Sequence, residues 1–137
     1  MGFGTMLSTP DGLGFGMRGR ISAPVNADLS LAVDLGFTGF FLGGRDDADW
    51  IFDPQVSAIV TLPYEADRAT YVIAGLGAYV PMESKDDDPV SGPMIHFGAG
   101  RVQLLRETTF FYELDPMIII GENSVHLAIP LRIGIIF

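Results

Sequence analysis

Apolar residues recur at every second position along most of this chain, over stretches longer than ordinary strands. The C-terminal stretch shows it most plainly. Val125, Leu127, Ile129, Leu131, Ile133, Ile135 and Phe137 alternate with Ser124, His126, Ala128, Pro130, Arg132 and Gly134. The same period runs from Leu13 to Ala23, Leu29 to Thr38, Trp50 to Tyr64, Tyr71 to Val80 and Thr109 to Ile118. Another stretch starts at Met94 and loses phase between Arg101 and Leu105, which predicts a bulge or a strand end there. Period two marks strands with two unlike faces, and helical spacing fails along most of the chain. These strands come to about 11 to 15 residues, against a usual mode of about 5 to 6. At about 3.3 Å per residue and a tilt near 40°, roughly 12 residues rise roughly 30 Å, the thickness of a bilayer core.

The connections alternate as well. Those at 43–49, 83–92 and 121–124 are longer or more polar, and those at 24–28, 65–68 and 106–107 are tight. Counted back from the C-terminus, long and short ends alternate without exception. Thr9-Pro10-Asp11-Gly12 then falls on the long-loop side and implies a short opening strand from about Gly2 to Ser8. The expected fold is therefore all-β: an eight-stranded antiparallel up-and-down transmembrane β-barrel, one domain over residues 1–137.

An alternating barrel can be built with either face inside. Two observations favour the apolar face outside. The apolar set holds roughly 40 to 45 side chains, and the interior of an eight-stranded barrel is only just wide enough to be filled by side chains. The other face is rich in glycine: Gly14, Gly16, Gly36, Gly75, Gly77, Gly98, Gly100 and Gly134. Glycine on a water-facing strand weakens it for no gain, whereas in a narrow lumen it makes room for long neighbours. Those neighbours are the expected lumen charge network: Arg18, Arg20, Asp34, Asp53, Glu113, Asp115 and Arg132. Both signs occur, so they can pair; an unpaired charge there would be costly. The outward aromatics form two groups, Phe37, Phe41, Trp50 and Phe52 toward the long loops and Tyr64, Phe110, Tyr112 and Phe137 toward the tight turns. These are the expected lipid-facing girdles.

The final segment, His126 to Phe137, resembles the closing strand of bacterial outer-membrane barrels. Gly75-Leu76-Gly77, Gly98-Ala99-Gly100 and the inward acid of Tyr112-Glu113-Leu114 resemble small barrels of the OmpA/OmpX type. The resemblance covers nearly the whole chain and is specific for architecture more than for activity. It implies a place in the bacterial outer membrane, contact with the lipid bilayer and lipopolysaccharide, and recognition of Phe137 by the barrel-insertion machinery. It also implies a precursor leader; none is visible at Met1-Gly2-Phe3, as expected of a matured chain or of one expressed without its leader.

Other chemistries fit the sequence less well. The net charge of -9, from 17 acidic and 8 basic residues, argues against nucleic-acid binding. With no cysteine, a disulfide scaffold, a Cys-ligated metal and a Cys nucleophile are excluded. Gly14 to Gly19 spells G-x-G-x-x-G, but a dinucleotide site needs a helix after it, and this run lies inside a strand pattern. Ser124 and His126 share a face and invite a hydrolase reading, but a lipid-active site belongs on the bilayer-facing wall, and the His-Xaa-Ser-Asn run of deacylase barrels is absent. His126 is expected in the lumen, bonded to a carboxylate. Asp46, Asp47, Asp49 and Asp86 to Asp88 lack EF-hand spacing and read as an acidic rim. The lumen is expected to be plugged, since eight strands leave too little room for an open channel. The functional expectation is a monomeric barrel with a structural or surface-interaction role, no catalysis and no cofactor or metal. The alternatives are a soluble lipocalin-like barrel for a small apolar ligand and a lipid A-modifying enzyme.

Overall fold

The computed structural model describes residues 1–9, 12–42, 49–63, 68–83, 90–105 and 108–136. Nine hydrogen-bonded segments follow one another: β1 (Gly2–Ser8), β2 (Gly12–Pro24), β3 (Leu29–Leu42), β4 (Asp49–Thr61), β5 (Arg68–Glu83), β6 (Gly92–Leu104), β7 (Thr109–Leu114), β8 (Met117–Ile120) and β9 (Val125–Ile136). Every pairing is antiparallel between chain neighbours, with β7 and β8 both lying between β6 and β9. The ring closes where β1 pairs with β9, from Gly2 opposite Gly134 to Ser8 opposite Ala128. The short opening strand is therefore the closing partner of the last one, and no free sheet edge remains among the described residues to template aggregation.

β7 and β8 are two halves of one stave, which makes eight staves in all. Leu114 pairs with Ala99 and Met117 with His96 along β6, so the register carries straight across the gap. The same holds along β9, where Leu114 meets Leu131 and Met117 meets Ala128. The gap has a covalent cause. Proline has no N–H to give the ladder, and Pro116 and Pro130 stand on adjacent staves here. Bonds at this point run only one way, from Phe97 N–H to the Pro116 carbonyl (3.1 Å) and from Asp115 N–H to the Pro130 carbonyl (3.3 Å).

The alternation turns the barrel inside out relative to a soluble protein. Leu31, Val33 and Leu35 on β3 and Leu131 and Ile133 on β9 are all at least half exposed. Between them Ala32, Asp34 and Arg132 are buried. The glycines of the inner face make space for the side chains opposite them. A Cβ at Gly100 would overlap the Tyr71 ring, one at Gly98 the Asp115 carboxylate and one at Gly134 the Phe111 ring. Outward Gly19 meets nothing within 4 Å.

Three layers fill the lumen. Toward the long-loop end lies an apolar plug of Met6, Phe40, Ile51, Tyr79, Met94, Met117, Ile119 and Ala128, each no more than 4% exposed. The charged side chains occupy the middle. At the tight-turn end the lumen opens into a vestibule of about 550 Å³. The lumen filling is thus part apolar, where the sequence pattern pointed to a polar one. Phe40 and Ile119 sit in runs whose neighbours are also apolar, so both faces look alike there.

Of the bulge or strand end expected between Arg101 and Leu105, the structure has the strand end: β6 stops at Leu104, with no register shift before it. β5 and β6 stay in register from Tyr79–Gly92 to Arg68–Gln103, and β6 goes on pairing with β7 as far as Leu104–Thr109. What changes is polarity. Val102 lines the vestibule, so an apolar residue faces inward where polar ones do so higher up. Real register shifts lie at the long-loop end, between Leu13 and Gly14 and between Trp50 and Ile51.

Candidate functional site in the barrel lumen

Residues of one parity on neighbouring staves project into the same narrow space. Arg20, Asp34, Ser57, His96, Glu113, Asp115 and Arg132 meet there and form a closed ring. Arg20 Nε donates to Asp34 Oδ1 at 2.6 Å, and Ser57 Oγ lies 3.4 Å from Asp34 Oδ2. Ser57 Oγ is 3.1 Å from His96 Nε2, and His96 Nδ1 is 2.8 Å from Asp115 Oδ1. Arg132 Nη1 donates to both Asp115 Oδ2 (3.2 Å) and Glu113 Oε1 (3.0 Å). Arg20 completes the circuit, with Nη1 and Nη2 at 2.7 and 3.1 Å from the two Glu113 oxygens. Tyr71 on β5 adds its hydroxyl to Glu113 Oε2 at 2.7 Å.

A second node stands beside the ring. Arg18 pairs with Asp53 and donates to Gln55 Oε1. All seven charged residues expected in the lumen are therefore there, and each is engaged in an ion pair. Gln55, Ser57, Tyr71 and His96 join them. Those four lie on the inward parity of their strands, which is the signal that places them. Removing one partner from such a buried set leaves an uncompensated charge, at a cost of about 3–5 kcal/mol.

Ser57, His96 and Asp115 have the connectivity of a nucleophile, a base and an orienting acid. Their burial speaks against that use. None is more than 2% exposed, so no substrate can reach Ser57 Oγ, and Asp34 crowds the hydroxyl from the other side. The arrangement cross-links strands. Its members come from β2, β3, β4, β6, β7 and β9, with Asp115 beyond the end of β7.

His126 departs from expectation. It is partly exposed, and its Nε2 bonds Ser124 Oγ at 2.7 Å; no carboxylate bonds it among the described residues. It lies at the long-loop end of β9, beyond the reach of the charged layer. The acidic loops at 43–48 and 84–89 lie outside the described residues, as does the Asp49 side chain. Among the described residues no three His, Cys, Asp or Glu side chains are placed to hold a metal ion together.

On the outer wall, Phe37 and Phe52 pair across β3 and β4 with ring centroids 4.8 Å apart. Trp50, Phe110 and Tyr112 are exposed, with Trp50 at the long-loop end and the other two at the tight-turn end. The Phe41 side chain, Tyr64 and Phe137 lie outside the described residues.

The chain is similar in structure to an outer membrane enzyme, PagL, with a TM-score of 0.70 at 10% identity over 99% of this chain and 98% of that one. It is also similar to the N-terminal β-barrel domain of Pseudomonas aeruginosa OprF, with a TM-score of 0.57 at 17% identity over 98% of this chain and 94% of that one. The fold is that of the small outer-membrane barrels. No family model and no curated protein matches the chain in sequence.

Proposed function

We propose that this protein is an integral barrel of the bacterial outer membrane with a structural or surface-interaction role and no catalytic activity. The observation that carries the reading is the inversion of polarity. Outward Leu31, Val33, Leu131 and Ile133 are more than half exposed, while Asp34, Asp53 and Asp115 are fully buried. In water such a wall would be a very large apolar patch; in a bilayer it is matched to its solvent. The soluble lipocalin-like alternative needs the opposite face assignment.

Its partners on this reading are bilayer lipid and lipopolysaccharide, with the aromatic side chains at the two interfaces. The barrel-insertion machinery engages the C-terminal strand. The barrel is a monomer, since the wall closes on itself without a second copy. The ring braces the wall from within, and the apolar plug closes the lumen against conduction.

Expression behind a secretory leader, followed by membrane fractionation and mass spectrometry of lipid A, tests this. The expected result is a protein in the outer-membrane fraction that resists carbonate extraction, with lipid A unchanged. Soluble protein obtained without detergent would overturn the membrane reading, and altered lipid A would overturn the non-catalytic one.

A further inference from the structure

Below the charged ring the lumen changes character. Ile59, Val102, Phe111 and Ile136 bring apolar surface into the vestibule, on faces that elsewhere carry Gly and charged residues. Its volume of about 550 Å³ lies within the roughly 300–1,000 Å³ typical of small-molecule sites. An apolar wall over a charged floor is the lining of an amphiphile site. A bracing role alone requires neither the wall nor the space.

The floor selects the sign of the head group. On the vestibule lining itself Arg18, Arg20 and Arg132 stand against Asp34 and Glu113, while Asp53 and Asp115, which pair with Arg18 and Arg132, lie off the lining behind them. Hydrogen-bonding capacity is also one-sided. Both Glu113 oxygens accept from arginine, and Oε2 accepts from Tyr71 as well. Asp34 accepts from Arg20, and the Ser57 hydroxyl lies against its other oxygen. Arg132, 6% exposed, has a buried Nη2 with no partner among the described residues. The unpartnered acceptor of the charged layer, Asp53 Oδ1, lies off the vestibule lining against Gly36, so on the lining the spare capacity is a donor, and it calls for an acceptor.

We propose that the vestibule binds a small amphiphile with an anionic head group at the Arg20–Arg132 floor and a short hydrocarbon tail against Val102, Ile59 and Phe111. The site rests on the closed barrel wall and is independent of which compartment its mouth faces. The plug at the far end makes it a blind pocket and not a conduit.

The test is a methyl NMR titration of the full chain in zwitterionic nanodiscs, with octanoate, octyltrimethylammonium and acetate as probes. Octanoate is expected to shift the Ile59, Val102 and Ile136 methyls saturably and leave outward Leu31 and Leu131 unmoved. The other two probes are expected to leave all five unmoved. V102W fills the pocket from outside the ring and should weaken octanoate at least tenfold. S30D, also on the vestibule lining, should weaken octanoate and admit the cationic probe. Equal shifts with both octyl probes, equal shifts with acetate, shifts confined to outward methyls, or octanoate binding undiminished by V102W would each overturn the proposal. A chain that does not enter nanodiscs at all contradicts the membrane reading instead. The titration repeated on that soluble chain would then decide the vestibule by the same criteria.

Discussion

Gly75 and His96 face each other across the β5–β6 ladder, and the imidazole fills the space that a side chain at Gly75 would take. The backbone carbonyl of Val56 bounds the same space from the other side. A methyl there must displace both the ladder at Val56 and the ring that links Ser57 to Asp115. G75A is expected to cost about 1–3 kcal/mol, in the range for overpacking a filled interior. G19A, on the open outer face, should stay within about 0.5 kcal/mol. Urea unfolding in lipid vesicles, followed by the fluorescence of Trp50, the single tryptophan of the chain, compares the two.

The Arg18–Asp53 pair gives a direct test of how the lumen charges compensate one another. R18M leaves the buried Asp53 carboxylate without its cation and should cost about 3–5 kcal/mol. R18M/D53L removes both charges and should cost less than the sum of the two single changes, by about 0.5–3 kcal/mol. The same unfolding assay applied to all four corners of the cycle measures the coupling. Strict additivity would mean that the two side chains do not share a buried environment.

Alternation made the staves legible, because a one-residue slip moves every side chain to the other face. The opening strand could be placed from loop parity alone, and β1 indeed closes on β9. Alternation also put Arg20, Asp34, Glu113 and Arg132 on one face, though not which would touch, since that depends on the stagger between staves. It was silent wherever both parities are apolar. Phe40 beside Phe41 and Ile119 between Ile118 and Ile120 gave no inward signal, and these residues build the plug. It loses phase at Val102 because an apolar vestibule reverses polarity without changing register, two residues before β6 ends at Leu104. At His126 inward parity points to a carboxylate contact, but depth along the stave places it beside Ser124.

Closure can be tested with two introduced cysteines, because the chain has none of its own. Thr5 and Leu131 are direct Cα partners across β1 and β9. The T5C/L131C variant is expected to form a disulfide on oxidation of the folded barrel. M17C/L131C should stay reduced, since Met17 pairs with Phe3 on one side and Phe37 on the other. Mass spectrometry of peptides after oxidation distinguishes the two. A bridge in the second variant and none in the first would describe a barrel closed without β1.

Charge on the outer wall should be tolerated by depth. Leu31 lies opposite Ala23 and Ala58, and Ile133 opposite Phe3 and Tyr112. An arginine on this lipid face costs about 2–4 kcal/mol at the bilayer midplane and falls to about 0–1 near an interface. Stepping arginine outward along β3, from Leu35 through Val33 to Leu31, should therefore lower the penalty step by step in vesicle refolding. A flat profile would mean that the wall does not cross a hydrocarbon layer.

The most direct measurement is the environment of the outer face itself. Single spin labels at Leu31, Val33, Leu131 and Ile133, each on a cysteine introduced into the cysteine-free chain, report relative accessibility to oxygen and to a water-soluble nickel complex. All four sites are more than half exposed in the isolated barrel, so burial by protein does not mask the result. The account predicts oxygen accessibility above nickel accessibility at every site, with oxygen rising and nickel falling toward mid-stave. High nickel accessibility at Leu31 and Leu131 in reconstituted vesicles would show an apolar wall facing water and would contradict the membrane barrel.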